Sequence, residues 1–124
     1  MLPLATLCPV PLPGETMKEL TSAEEFDALL SEAGAEKLVV VEICATWCSA
    51  CQAAASGYLQ LAKRMGGVEF AHLDVDTNKE TANDKARVGE VTSLPTFKVF
   101  RGGEIVGSCA KGLRDLAAMI TELG

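Results

Sequence analysis

The sequence predicts an α/β sandwich of three layers, in which helices flank a mixed central sheet. Strand-like and helix-like patterns alternate from Met17 onward, which favours parallel strands joined by helices. Residues 38–44 form a short, β-branched and almost continuously apolar run, typical of a strand buried on both faces. Gly102 and Gly103 separate two strand-like segments and predict a hairpin, since paired glycines permit a tight turn. A chain of 124 residues has the size of a single domain.

The first predicted helix and the helix after the central strand have recognisable ends. Residues 21–25 contain Thr-Ser followed by Glu-Glu, a capping-box pattern that begins a helix, and Gly34 ends it. After the central strand, apolar residues at helical spacing extend over 51–65. The glycines at 66–67 predict a left-handed cap at the end of this second helix.

The second half of the chain alternates in the same way and ends in the hairpin and a helix. Pro95 has no N–H to donate to a ladder, so the strand near it begins at the next residue. The predicted elements are a strand at 68–74, a polar helix at 79–88, strands at 96–100 and Glu104–Cys109, and a helix at Leu113–Leu123.

The charge and hydropathy of the chain exclude two classes of partner. The net charge of −6 argues against nucleic acid, because such binding depends on lysine and arginine at phosphates. Anionic membrane surfaces are disfavoured for the same reason. The longest nearly apolar stretch, residues 38–45, is far shorter than the ~20 residues that span a bilayer. We therefore expect no nucleic-acid partner and no membrane partner.

The first residues of the sequence differ in composition from the rest. Residues 1–14 contain four of the five prolines and lack a basic n-region. They predict an extended tail or an imperfect first strand rather than a signal peptide. We expect a tail over 1–15 and a domain over 16–124.

The expected compartment is the reducing cytoplasm, with the plastid stroma or an axoneme as alternatives.

The strongest chemical signal is Trp47-Cys48-Ser49-Ala50-Cys51, between the central strand and the second helix. A thiol at a helix start faces unpaired N–H groups and the positive end of the helix dipole, and both favour the thiolate. Cys51 lies about one turn further on, close enough for a disulfide. The pattern predicts dithiol–disulfide exchange, with Cys48 attacking and Cys51 resolving. The alternatives are structural zinc, for which the sequence offers no second ligand pair, and an inert buried pair.

Several segments together resemble the thioredoxin family. They are VVVEICATWCSAC at 39–51, Ser-Leu-Pro-Thr at 93–96 and the hairpin at 97–105. The resemblance implies a thioredoxin-like sheet flanked by helices, with Cys48 as the attacking thiol and Cys51 as the resolving thiol. It also implies a cis peptide bond before Pro95, and a backbone at Leu94 that pairs with the bound substrate chain.

Two further residues complete the predicted site. Glu42 interrupts the apolar strand, where burial would raise its pKa towards the range in which it acts as general base for Cys51. The matching family position usually holds aspartate. The alternative is that Glu42 lies at an edge and points to solvent. Trp47 is expected to form a flat apolar surface for protein substrates beside Cys48, with a plain packing role as the alternative.

The sequence departs from the family at several further places. Ser49-Ala50 stands where the most strongly reducing members have Gly-Pro, and the N–H of Ala50 is available to stabilise the thiolate. His72 stands where a lysine is frequent near the buried acid. The interval from Asp76 to Pro95 is 19 residues, about four more than thioredoxin has, or roughly one helical turn. We expect this insertion to be polar and to lie at the surface.

These observations predict a protein thiol–disulfide oxidoreductase that reduces disulfides in client proteins. A separate thioredoxin reductase would supply electrons, because no Gly-x-Gly-x-x-Gly motif follows a strand to bind a nucleotide. No cofactor and no metal are expected. The alternative is a thioredoxin-like redox-sensing or structural subunit of a larger assembly, such as an axonemal dynein light chain.

Overall fold

The structure is a computed structural model that describes residues 17–124. The expected tail at 1–15, including its imperfect strand, lies outside the described residues. The elements are β1 (Met17–Leu20), α1 (Ala23–Ala33), β2 (Val39–Cys44), α2 (Ser49–Arg64), β3 (Glu69–Asp74), α3 (Lys79–Ala82), α4 (Lys85–Val88), β4 (Thr96–Arg101), β5 (Glu104–Cys109) and α5 (Leu113–Leu123). The predicted alternation of strands and helices is confirmed.

The strands form one sheet in the order β1-β3-β2-β4-β5. Strands β1, β3 and β2 run parallel, whereas β4 is antiparallel to both β2 and β5. The predicted mixed sheet and the hairpin are therefore confirmed, with positive φ at Gly102 and Gly103 in the turn. Strand β2 is central, and all its residues except Cys44 are buried, since helices cover both faces.

Alternate side chains of β2 point into two hydrophobic cores, one on each face of the sheet. Val39 and Val41 join the core beneath α1, α3 and α4, whereas Val40 joins the core beneath α2 and α5. Tyr58 of α2 lies in the second core, where its hydroxyl donates a 2.7 Å hydrogen bond to the carbonyl oxygen of Ala71. The arrangement is the predicted sandwich of three layers.

The helix predicted at 79–88 is wrong, because the structure contains two helices of four residues each, α3 and α4. The break falls at Asn83 and Asp84, and the Asp84 carboxylate accepts a 3.0 Å hydrogen bond from the N–H of Ala86. Aspartate caps helices better than it continues them, so a second helix begins here. The segment is also only partly at the surface, since Ala82 and Val88 are buried in the core beneath α1.

The left-handed cap predicted at Gly66 and Gly67 is also wrong. Helix α2 ends at Met65 with φ −109°, and neither glycine has a positive φ. The partly buried side chain of Met65 packs on the second core, and the N–H of Val68 bonds its carbonyl oxygen at 3.1 Å. An ordinary turn therefore leads directly into β3. The predicted end of α1 at Gly34 is confirmed, with φ 83°.

Two connections position the candidate functional residues. Residues 45–48 join the central strand to α2, and a 3.2 Å hydrogen bond from the N–H of Cys48 to the carbonyl oxygen of Ala45 closes this turn. Residues 89–95 join α4 to β4. None of the helices between residues 17 and 124 is both long enough and apolar enough to cross a bilayer.

Replacement of Ser22 by alanine is expected to lower the free energy of unfolding by about 1 kcal/mol, the usual loss for a serine cap. Its hydroxyl accepts a 3.1 Å hydrogen bond from the N–H of Glu25 at the start of α1. Urea unfolding measures the change, and Ser31→Ala in the same helix is the matched control. Equal effects of the two substitutions would contradict the capping role.

Candidate active site

Cys48 occupies the N-cap position of α2, and its thiol is partly exposed. Its sulfur accepts a 3.3 Å hydrogen bond from the backbone N–H of Cys51. Hydrogen bonds from the Cys51 thiol and then from the Cys51 N–H hold the pKa of Cys48 below its ordinary value, and the N–H of Ala50 adds to this effect. Donors directed at the sulfur stabilise the negative charge of the thiolate.

Cys51 lies in the first turn of α2, where only 6% of it is exposed. Burial, and then the hydrogen bond that its thiol makes to Cys48, raises its pKa to about 12. The two thiols are therefore shifted in opposite directions, although they belong to the same helical turn. Cys48 is biased towards the thiolate and Cys51 towards the protonated thiol, the asymmetry that dithiol exchange requires.

Glu42 is buried on the central strand, with 5% of the residue exposed. The predicted alternative, an edge position facing solvent, is wrong. Burial raises the pKa of Glu42 to about 7, because desolvation disfavours the charged form. Its Oε2 atom is buried without a hydrogen-bond partner among the described residues. The charge of Glu42 opposes the lowering of the Cys48 pKa and adds to the raising of the Cys51 pKa, so the carboxyl group interacts electrostatically with both thiols.

Trp47 precedes Cys48 and is 67% exposed, so its ring does not belong to either hydrophobic core. Its indole Nε1 donates a 2.6 Å hydrogen bond to Oδ2 of Asp76, an exposed residue just after β3. This bond fixes the indole ring while most of its surface remains accessible. Asp76 is not among the predicted site residues, and nothing in its local sequence pattern connects it with Trp47.

Leu94 and Pro95 lie beside Cys48, joined by a cis peptide bond as the resemblance implied. The Cys48 sulfur is 3.8 Å from the carbonyl oxygen of Leu94. The Thr96 hydroxyl donates a 2.6 Å hydrogen bond to the carbonyl oxygen of Ser93. The side chain of Leu94 packs on the core beneath α1, so the main chain of this residue is held next to the thiol.

His72 is in register with Glu42 on the neighbouring strand β3, and with Glu19 on β1. Burial lowers the pKa of His72, while the charges of Glu19 and Asp74 oppose this shift. Within residues 17–124, no group of three or more histidine, cysteine or acidic side chains is placed to hold a metal ion.

The Glu42→Gln variant is expected to become progressively more stable than the parent as the pH rises from about 5 to about 8. The raised pKa of Glu42, about 7 against 4.5, means that the unfolded chain releases this proton first, so the parent loses stability through that window. The difference should reach on the order of 3 kcal/mol, since each pKa unit is worth about 1.4 kcal/mol. Urea unfolding at several pH values measures it, with Glu104→Gln on the exposed strand β5 as the control. A difference that does not vary with pH would contradict the burial argument.

Comparison with known proteins supports the architecture described above. The family model for thioredoxin matches residues 17–123. Thioredoxin from Geodia cydonium is 35% identical over 96 residues, which cover 77% of this chain and 86% of the relative. Thioredoxin from Homo sapiens is 34% identical over 108 residues, covering 86% and 98%. The crystal structure of Fasciola hepatica thioredoxin matches with a TM-score of 0.79 at 33% identity, over 87% of this chain and 100% of that one.

These matches extend over nearly all of the described residues and include the turn that carries both thiols. They confirm the thioredoxin fold and do not favour the alternative of a structural or redox-sensing subunit. The chain belongs to the thioredoxin family and is a protein thiol–disulfide oxidoreductase.

Proposed function

We propose that the protein reduces disulfides in client proteins, with Cys48 as the attacking thiol and Cys51 as the resolving thiol. The observation that carries this assignment is the opposite displacement of the two pKa values within one helical turn. The lowered pKa increases the thiolate fraction at the partly exposed Cys48, whereas the raised pKa keeps the buried Cys51 protonated. Only the thiolate attacks a disulfide at a useful rate.

The reaction has two exchange steps. The Cys48 thiolate attacks one sulfur of the client disulfide, forms a mixed disulfide with it and expels the other client sulfur as a thiolate. Cys51 then loses its proton and attacks the Cys48 sulfur. This releases the second client thiolate and leaves a disulfide between Cys48 and Cys51. The client gains two electrons and the protein loses them.

Glu42 is proposed as the general base that accepts the proton from Cys51 in the second step. A pKa of about 7 allows the carboxyl group both to take up and to release a proton near neutral pH. The electrostatic coupling between Glu42 and Cys51 supports a base acting at this thiol. Its buried oxygen without a partner is available to accept the proton, directly or through one water.

The client is proposed to bind across three residues beside Cys48. The carbonyl group of Leu94 is available to pair with an extended client strand, and Pro95 shapes the turn that presents it. The exposed indole ring of Trp47, the residue before Cys48, offers apolar area for contact with the client. Backbone pairing of this kind depends little on client sequence, as a general reductase requires.

Repeated turnover needs an electron source, for which we propose a separate thioredoxin reductase. The sequence has no nucleotide-binding glycine motif after a strand, so the dithiol is the redox group that the chain itself supplies.

The proposed compartment is the cytoplasm, where a reducing thiol pool keeps both cysteines reduced. The boundary near residue 16 between a tail and the domain also remains a proposal.

The Cys51→Ser variant is expected to accumulate a mixed disulfide with insulin, because the first exchange proceeds and the second cannot. Non-reducing electrophoresis and mass spectrometry measure the adduct and locate it on Cys48. The Cys48→Ser variant is the matched control and should form little adduct, since the remaining thiol is buried and protonated. Equal capture by the two variants would show that the roles are assigned wrongly.

Replacement of Ala50 by proline is expected to raise the pKa of Cys48 and to make the couple more reducing. Proline removes the N–H that helps to stabilise the thiolate, and it is tolerated in the first turn of a helix. The pH dependence of alkylation gives the pKa, and equilibration with glutathione gives the potential. Ser49→Ala is the control, because it changes the same dipeptide and keeps both N–H groups. A variant as oxidising as the parent would contradict the role of this N–H.

A further inference from the structure

A lysine is buried in the core on the face of the sheet opposite Glu42. Lys98 of β4 is in register with Val41 of β2 and has only 4% of its surface exposed. Burial of a charged group costs free energy unless the group is hydrogen-bonded, and burial lowers the pKa of Lys98. Its Nζ donates a 2.6 Å hydrogen bond to the main-chain carbonyl oxygen of Glu90. The mechanism described above makes no use of this ammonium group.

Glu90 lies near the start of the connection between α4 and β4, residues 89–95, which we call the client-binding segment. The segment carries Leu94 and Pro95 at its far end. It is therefore held near both ends, by Lys98 at Glu90 and by the Thr96 hydroxyl at Ser93. Between these anchors, Val91 and Leu94 pack on the core beneath α1.

The first residue of the segment passes close to two side chains of the hairpin. A Cβ atom added to Gly89 would lie 3.0 Å from Cδ1 of Ile105 and 3.6 Å from Nζ of Lys98. Gly89 also has a φ of 73°, in the left-handed region that favours glycine. The backbone at Gly89 therefore turns close to the Lys98 side chain. The hydrogen bond from Lys98 to Glu90 fixes the direction of the backbone at the start of the client-binding segment.

Residues 89–95 contain no helix or strand of their own. An irregular connection has many conformations available, and the others must be excluded for the segment to present one backbone geometry. The ammonium group of Lys98, on the buried strand β4, restricts these conformations by a charge-assisted hydrogen bond, which is stronger than a neutral one. Lys98 has both the position and the chemistry for this task.

We propose that Lys98 is a positioning residue for client proteins: its ammonium group, by holding the carbonyl of Glu90, sets where the backbone of Leu94 lies beside Cys48. The inference rests on the client-binding role proposed above for Leu94 and Pro95. The lysine acts through the segment and does not touch the thiols. It therefore affects reactions that require backbone pairing and leaves the intrinsic reactivity of Cys48 unchanged.

The test compares a protein disulfide with a small one in Lys98→Met and Lys98→Gln. Both replacements have similar length, and only glutamine keeps an N–H donor. Fully reduced protein is mixed with excess insulin or with 5,5′-dithiobis(2-nitrobenzoate), and single-turnover rates are measured. In Lys98→Met the second-order rate constant for insulin should fall about five- to tenfold, the effect of one lost hydrogen bond. The rate with the small disulfide and the alkylation rate of Cys48 should stay within about twofold.

The thermal stability of the variants distinguishes a positioning role of Lys98 from a merely structural one. The midpoint of thermal unfolding should stay the same or rise in Lys98→Met, because a buried charge is replaced by an apolar group. Lys98→Gln should recover most of the lost insulin rate. Val99→Ala, on the opposite face of β4, is the control and should lower the midpoint without a selective loss of the insulin rate.

Three outcomes would overturn the proposal. These are an insulin rate in Lys98→Met within twofold of the parent, a parallel loss with the small disulfide, and a variant that unfolds or fails to fold. Failure of the proposed function itself looks different, because the parent would then not reduce insulin and Cys51→Ser would capture none. That result would remove both proposals together.

Discussion

The burial of β2 on both faces is the constraint on which the rest of the structure depends. Packing on both faces fixes the carboxyl end of this strand. The short turn at residues 45–48 connects that end directly to α2, so the start of the helix is fixed as well. Cys48 therefore lies at the helix N-terminus because the preceding strand cannot shift. The contrast between a partly exposed thiol and a buried one follows from the same geometry, since one turn of helix places Cys51 inside the protein.

The sheet also buries two charged residues, one on each face. Glu42 points towards the side of α2 and α5, and Lys98 towards the side of α1, α3 and α4. Neither is paired with an opposite charge in the described structure, so neither contributes a buried salt bridge to stability. Residues of this kind reduce the free energy of unfolding, and the roles proposed for Glu42 and Lys98 give a reason why the fold retains them.

Some of the predicted structural elements are wrong because a stronger interaction in the folded protein outweighed the local conformational propensity of the sequence. The helix expected at 79–88 divides because Asp84 is better satisfied as a cap than as an interior residue. The glycines at 66–67 suit a left-handed cap, but packing of Met65 on the core fixes an ordinary turn instead. Asp76 and Lys98 were not recognised because each acts on a residue distant from its own element. No periodicity in a sequence marks such a contact.

The sequence by itself determined most of the order of the elements, the central position of residues 38–44, and the placement of two thiols at the start of a helix. It could do so because hydrophobic periodicity, glycine turns and Cys-x-x-Cys spacing act over a few neighbouring residues. Only the tertiary structure decided that Glu42 is buried without a partner, that Trp47 is fixed by Asp76, and that Lys98 holds the carbonyl of Glu90. Desolvation and long-range hydrogen bonds arise when distant segments pack together, so they are properties of the folded chain rather than of any segment.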